Sequence, residues 1–76
     1  MERVPIQGSS QVVAAGFHEP VMEVEFKARK GENPVYQYRN VTRFMWADFL
    51  NAPSKGRWIA ENLKRYPQRF PYQRVQ

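Results

Sequence analysis

The chain has no cysteine, a single histidine, few carboxylates in its second half and no long apolar run. Each shortage closes a class of function. Without thiols there is no disulfide framework, thiolate metal site or cysteine nucleophile, a composition that fits a reducing compartment. His18, alone and in the turn expected at His18-Glu19-Pro20, has no second imidazole for a metal and no cysteine nucleophile beside it. No stretch is long and apolar enough for a bilayer span, and Met1 to Ser10 lacks the apolar run of a secretory leader, so a soluble, cytoplasmic chain with no membrane partner is expected. Asp48 and Glu61 fall singly on helix faces, where solvation or ion pairing suits them better than joint acid and base work. No catalytic residue, metal or cofactor is assigned, and the expectation is a protein that is not an enzyme.

What the chain does have is positive charge, unevenly placed. Residues 1–38 carry four cations against five anions, a net of −1, whereas residues 39–76 carry eight against two, a net of +6. Such asymmetry leans toward a polyanion or an acidic protein surface. At 76 residues the chain is one domain that buries only roughly 60% of its unfolded surface. So small a core is compatible with a homodimer.

Met1 to Ser10 mixes Pro5, Gly8 and serines without a period and reads as an irregular arm, leaving residues 11–76 as the domain. Gln11 to Phe17 is rich in small and β-branched residues and reads as a strand. Val21 to Lys27 alternates, with Met22, Val24 and Phe26 on one face and Glu23, Glu25 and Lys27 on the other. Ala28 to Pro34 is a loop by composition. Val35 to Arg39 is a third strand whose period of two puts Tyr36 and Tyr38 on one face. Two orientations are open: inward, their rings fill the core; outward, they offer stacking surfaces for bases. The scarcity of large residues favours the inward one.

After Val41 the period becomes helical. Thr42 caps a helix carrying Met45, Trp46, Phe49 and Leu50 on one side. Pro53 and Ser54 then restart a second helix with Trp58, Ile59, Leu63 and Tyr66 on one face and Arg57, Glu61, Lys64 and Arg65 opposite, until Pro67 stops it. Residues 67–76 read as an extended tail pinned by Phe70 or Tyr72, with Arg69 and Arg74 exposed. The fold expected is α+β, a three-stranded antiparallel meander followed by two packed helices.

The joint between the helices is unusual. A helix start carries partial positive charge and normally recruits Asp or Glu, yet here Lys55 and Arg57 follow Ser54. Two cations, uncommitted amides and Gly56 describe a place for an external anion. The plainer alternative is that Gly56 lets the helix pack closely while both cations reach into water.

Taken in order, Tyr36-Gln37-Tyr38, Val41, Met45-Trp46, Phe49-Leu50, Ala52, Ser54-Lys55-Gly56, Trp58, Leu63, Tyr66 and Arg74-Val75 resemble the KTSC domain. That module is named after the C-terminal extension of certain lysyl-tRNA synthetases and also occurs as a stand-alone protein in bacteria and phages. The likeness runs from about Ser10 to Val75. Thr42 stands where the family usually has Pro, one helix-start device for another, and the loop from Arg29 to Pro34 is longer than usual. The resemblance implies RNA binding by association with a tRNA enzyme and brings no catalytic residues. Together these readings point to a non-enzymatic module that binds RNA or another polyanion through Ser54, Lys55, Gly56, Arg57, Lys64, Arg65 and Arg43, with Tyr36 and Tyr38 for stacking. Two alternatives stand beside it. One is a protein-interaction module, such as a phage-encoded modulator of a host protein, meeting an acidic partner; the other is capture of a small phosphorylated ligand at the helix joint.

Overall fold

Alternation in the first half of the chain and a helical period after Val41 build a sheet with helices on one face. The computed structural model describes residues 1–76. The elements are β1 (Val4–Pro5), β2 (Val12–His18), β3 (Val21–Phe26), β4 (Val35–Tyr38), α1 (Arg43–Asn51), α2 (Lys55–Ile59) continued by a π-helical turn (Ala60–Lys64), and β5 (Tyr72–Arg74). The strands form one antiparallel sheet in the order β1-β2-β3-β4-β5. The expected three strands are therefore five, and the helices sit between β4 and β5 rather than after the sheet. The two extra strands are the short edges. β1 is two residues long and β5 three, too short to show a period of two, and both lie beside proline, which edge strands tolerate. What defines them is pairing: Val4 opposite Ala15, and Tyr72 opposite Tyr38. The residues read as an irregular arm thus include β1, and the tail includes β5.

Register settles the tyrosines. Met22 pairs with Tyr38 and Val24 with Tyr36, so both tyrosines share the front face of the sheet with side chains that are fully buried. The core joins that face to the helices through Val12, Ala15, Met22, Val24, Tyr38, Val41, Phe49, Trp58, Ile59, Leu63 and Phe70. Thr42 accepts from the Met45 amide and caps α1, and Glu19 from the β2–β3 turn accepts from the Arg43 amide, supplying the anion that the first turn of α1 lacks. Leu50 and Tyr66, expected in the core, are exposed. On α1 the residues that meet the core are Met45, Trp46 and Phe49, and Tyr66 lies past the end of the π turn.

The back face of the sheet is polar and closed. Arg3 donates to the Glu23 carboxylate at 2.6 Å and lies 3.5 Å from Glu25, while Gln37 donates to Glu23 at 2.8 Å and Asn33 to Glu25 at 2.9 Å. Burial alone would raise the Glu23 pKa, but the hydrogen bonds from Gln37 and Arg3, with the charges of Arg3 and the N-terminus, hold it below the usual carboxylate range. The arm bearing Arg3 crosses close over Gly16, where a Cβ would collide with the Glu2 carbonyl.

Candidate nucleic-acid interface

The front face is only partly covered by the helices. Beside the Phe26 end of β3 and across β4 and β5, an open cleft of about 1140 Å³ lies between the sheet and one side of α2 and its π turn. Its sheet wall is aromatic. Phe26 meets Tyr36 edge-on with ring centres 5.9 Å apart, Tyr36 meets Tyr72 at 6.0 Å, and Tyr72 meets Tyr38 at 5.9 Å. One strand after another contributes to this row, because same-face residues of paired strands lie side by side.

The helical wall is Gly56, Ala60 and Lys64. Four residues overrun one α turn of about 3.6 residues but fall short of a π turn, whose i→i+5 bonds widen it. The Arg65 amide donates to the Ala60 carbonyl at 3.1 Å, as such a turn requires. The two offsets act in opposite senses, and Lys64 follows the two small residues onto one wall. Gly56 and Ala60 keep that wall low, and the Lys64 ammonium rests 4.7 Å from the centre of the Phe26 ring. Lys27 and Arg29 stand at the rim, on the segment leaving β3. No carboxylate lines the cleft.

Tyr38 is buried at 2% exposure, and burial, followed by the neighbouring Tyr36 and Tyr72, pushes its phenol up to about 12. It stays a neutral donor throughout the physiological range.

A second, smaller cleft of about 330 Å³ opens where the Gln7–Gln11 segment faces the helix joint, with Ser54, Lys55 and Arg57 on its helical side. Ser54 caps α2 as expected, its hydroxyl accepting from the Arg57 amide at 3.3 Å. The cations of the joint are partly committed. Lys55 donates to the Ala52 carbonyl at 2.5 Å, capping the end of α1, and Arg57 Nε donates to Glu61 at 3.0 Å in an exposed pair one turn along. Gly56 does pack closely: the Gln11 side chain occupies the space a Cβ would need.

The expected site residues thus divide among several places. Tyr36, Tyr38, Gly56 and Lys64 meet at the aromatic cleft, whereas Ser54, Lys55 and Arg57 line the polar one, which Gly56 also borders. Arg65 is exposed and lines neither. Arg43 stands apart: its amide meets Glu19 at the opposite end of β3 from Phe26, about 16 Å along the strand, and its guanidinium lies over Phe44. Phe26, Lys27 and Arg29 were not among the expected site residues. The alternation of Val21 to Lys27 had placed Phe26 with the core, and it does share that face and packs against the core, but at the strand's end, where it is only half-buried. Three cations close to one aromatic row emerge only when β3 and the π turn are brought together.

The family model of the KTSC domain matches residues 8–66. The chain belongs to the KTSC domain family. The match takes in β2 to the π turn, and so the helical wall of the aromatic cleft, Phe26 and Tyr36; β5 with Tyr72 lies beyond it. A KTSC domain protein from Yersinia pestis has a similar solved structure, with a TM-score of 0.80 and 25% sequence identity over 99% of this chain and 97% of that one. The KTSC fold accordingly extends over the edge strands as well. No curated protein matches the chain. No helix is long and apolar enough to cross a membrane, and no cluster of three or more His, Cys, Asp or Glu side chains is placed to hold a metal ion.

Proposed function

We propose that this KTSC domain is a non-enzymatic module that binds RNA in the aromatic cleft. The observation that carries the reading is the make-up of that cleft: Phe26, Tyr36 and Tyr72 line it together with Lys27, Arg29 and Lys64, and no acid is present to repel a phosphate. Base-on-ring stacking contributes about 1–3 kcal/mol per base and tolerates any sequence. Lysine and arginine at the rim supply the salt-dependent attraction to the backbone. Three of the five acids of the N-terminal half are engaged away from the cleft: Glu23 and Glu25 are held on the back face by Arg3, and Glu19 is turned to the start of α1.

The contact set differs from a basic stripe along α2. Lys64 remains in it, while Arg57 is paired with Glu61 and Lys27 and Arg29 join from the sheet side. The test is fluorescence anisotropy of a labelled single-stranded RNA at two salt concentrations. Three phosphate contacts on a single strand predict a slope of about −2 in log K against log salt. A double variant, Lys27→Glu with Lys64→Glu, should abolish binding while the circular dichroism spectrum stays unchanged. Undiminished affinity in that folded variant would refute the assignment.

A further inference from the structure

The aromatic and polar clefts adjoin. Ser10, Gln11, Gly56 and Ala60 border both, so the two meet at a neck. In that neck the Gln11 side chain lies against the bare backbone of Gly56. We infer that the two clefts form one groove for a single-stranded oligonucleotide, with bases on the aromatic side and the backbone of the adjoining nucleotide on the polar side. This inference rests on the nucleic-acid reading above and specifies its ligand.

The two ends differ in chemistry in the way such a ligand does. The aromatic end offers ring faces and edges to flat groups. The polar end offers groups with hydrogen-bonding capacity left over. Arg57 gives only its Nε to Glu61, leaving both terminal nitrogens, and its side chain is 78% exposed. Lys55 uses one ammonium hydrogen on Ala52 and has two remaining. Ser10 is exposed at the neck, and no carboxylate lines the polar end either. The Gln11 carboxamide, both donor and acceptor, stands where a strand would pass from one end to the other. Its backbone is anchored, the carbonyl accepting from the Lys27 amide at 2.8 Å, so the side chain alone moves to admit a chain. A duplex does not fit this scheme, because its bases are stacked on each other and cannot reach the half-buried rings of Phe26 and Tyr36. A mononucleotide fills one end only.

The test compares three probes by calorimetric titration at low salt: adenosine monophosphate, a single-stranded tetraribonucleotide, and a blunt RNA stem. The single strand should bind at least tenfold more tightly than the mononucleotide, and the stem more weakly than the single strand. Arg57→Gln, and separately Ser10→Asp, should bring the ratio of tetranucleotide to mononucleotide affinity toward one, with melting temperatures close to the parent's. Equal affinity for mononucleotide and tetranucleotide, or a ratio that neither variant alters, would overturn the continuous groove and leave the aromatic cleft as a single-nucleotide site. A stem that binds as tightly as the strand would overturn the single-strand assignment. If none of the three probes binds, the RNA reading itself fails.

Discussion

The Lys64 ammonium lies 4.7 Å from the centre of the Phe26 ring, bridging the helical and sheet walls of the cleft without an acidic partner. A cation held by a ring face alone is held weakly, about 0.5–1 kcal/mol at an exposed site. It is therefore available to an incoming phosphate, and the ring it leaves is available to a base. Lys64→Glu is expected to lower stability by no more than about 1 kcal/mol, and to weaken single-stranded RNA binding tenfold or more. Lys64→Arg should keep most of the affinity. Chemical denaturation and anisotropy on the same preparations separate the two effects, and full binding by Lys64→Glu would remove this residue from the interface.

On the back of the sheet, Glu23 behaves as an acid that the fold needs ionised. Its folded pKa lies below the unfolded value, so its contribution is complete above the ordinary carboxylate range, near 4.3, and is lost as pH falls through the folded value. Glu23→Gln should cost about 1.5–3 kcal/mol at neutral pH, the range for hydrogen bonds that involve charged groups. Its stability should also decline less steeply on acidification. Urea denaturation of both proteins from neutral to acid pH measures this, and parallel acid limbs would contradict it.

Much of the fold is legible along the chain, and what is hidden is hidden for stated reasons. Alternation in Val21 to Phe26 and the caps at Thr42 and Ser54 mark elements whose signals are local. β1 and β5 carry no such signal, because two or three residues become a strand only through the neighbour they pair with. The site divides in the same way. Lys64 and the tyrosines stand out by residue type, but the π turn that aims Lys64 at Phe26 has no periodic signature, and without it Lys64 belongs with Arg57 and Arg65 on an outer face. The cations at the helix joint are conspicuous in the sequence. Their bonds to Ala52 and Glu61 are visible only in three dimensions.

Asp48, read from the sequence as a solvated or ion-paired acid, has a structural role. Its carboxylate accepts from the Trp58 indole nitrogen at 2.7 Å, joining α1 to α2. Trp58 is buried, so deleting the acceptor strands a donor that has little access to water. Asp48→Ala should destabilise by about 1–3 kcal/mol, whereas Asp48→Asn, which retains an acceptor oxygen, should cost less. Thermal melts rank the three proteins; an alanine variant as stable as the parent would show that the bond contributes nothing.

Tyr38 limits the fold at the alkaline end. Burial first, and then the proximity of Tyr36 and Tyr72, raise its pKa to about 12, above the value near 10 that it has in an unfolded chain. A raised folded pKa means that the native state holds the proton more tightly, so the associated stability is fully present below pH 10 and is lost as pH climbs through about 12. Tyrosinate absorbance should accordingly show one of the four tyrosines ionising late, together with loss of the native circular dichroism signal. Tyr38→Phe keeps the ring in place and removes the ionisable group. Its stability at neutral pH should stay within about 1 kcal/mol of the parent's, the late ionisation should vanish, and alkaline unfolding should move to higher pH. A late-ionising phenol that persists in Tyr38→Phe would assign the effect to Tyr36 or Tyr72, and with it the buried end of the aromatic row.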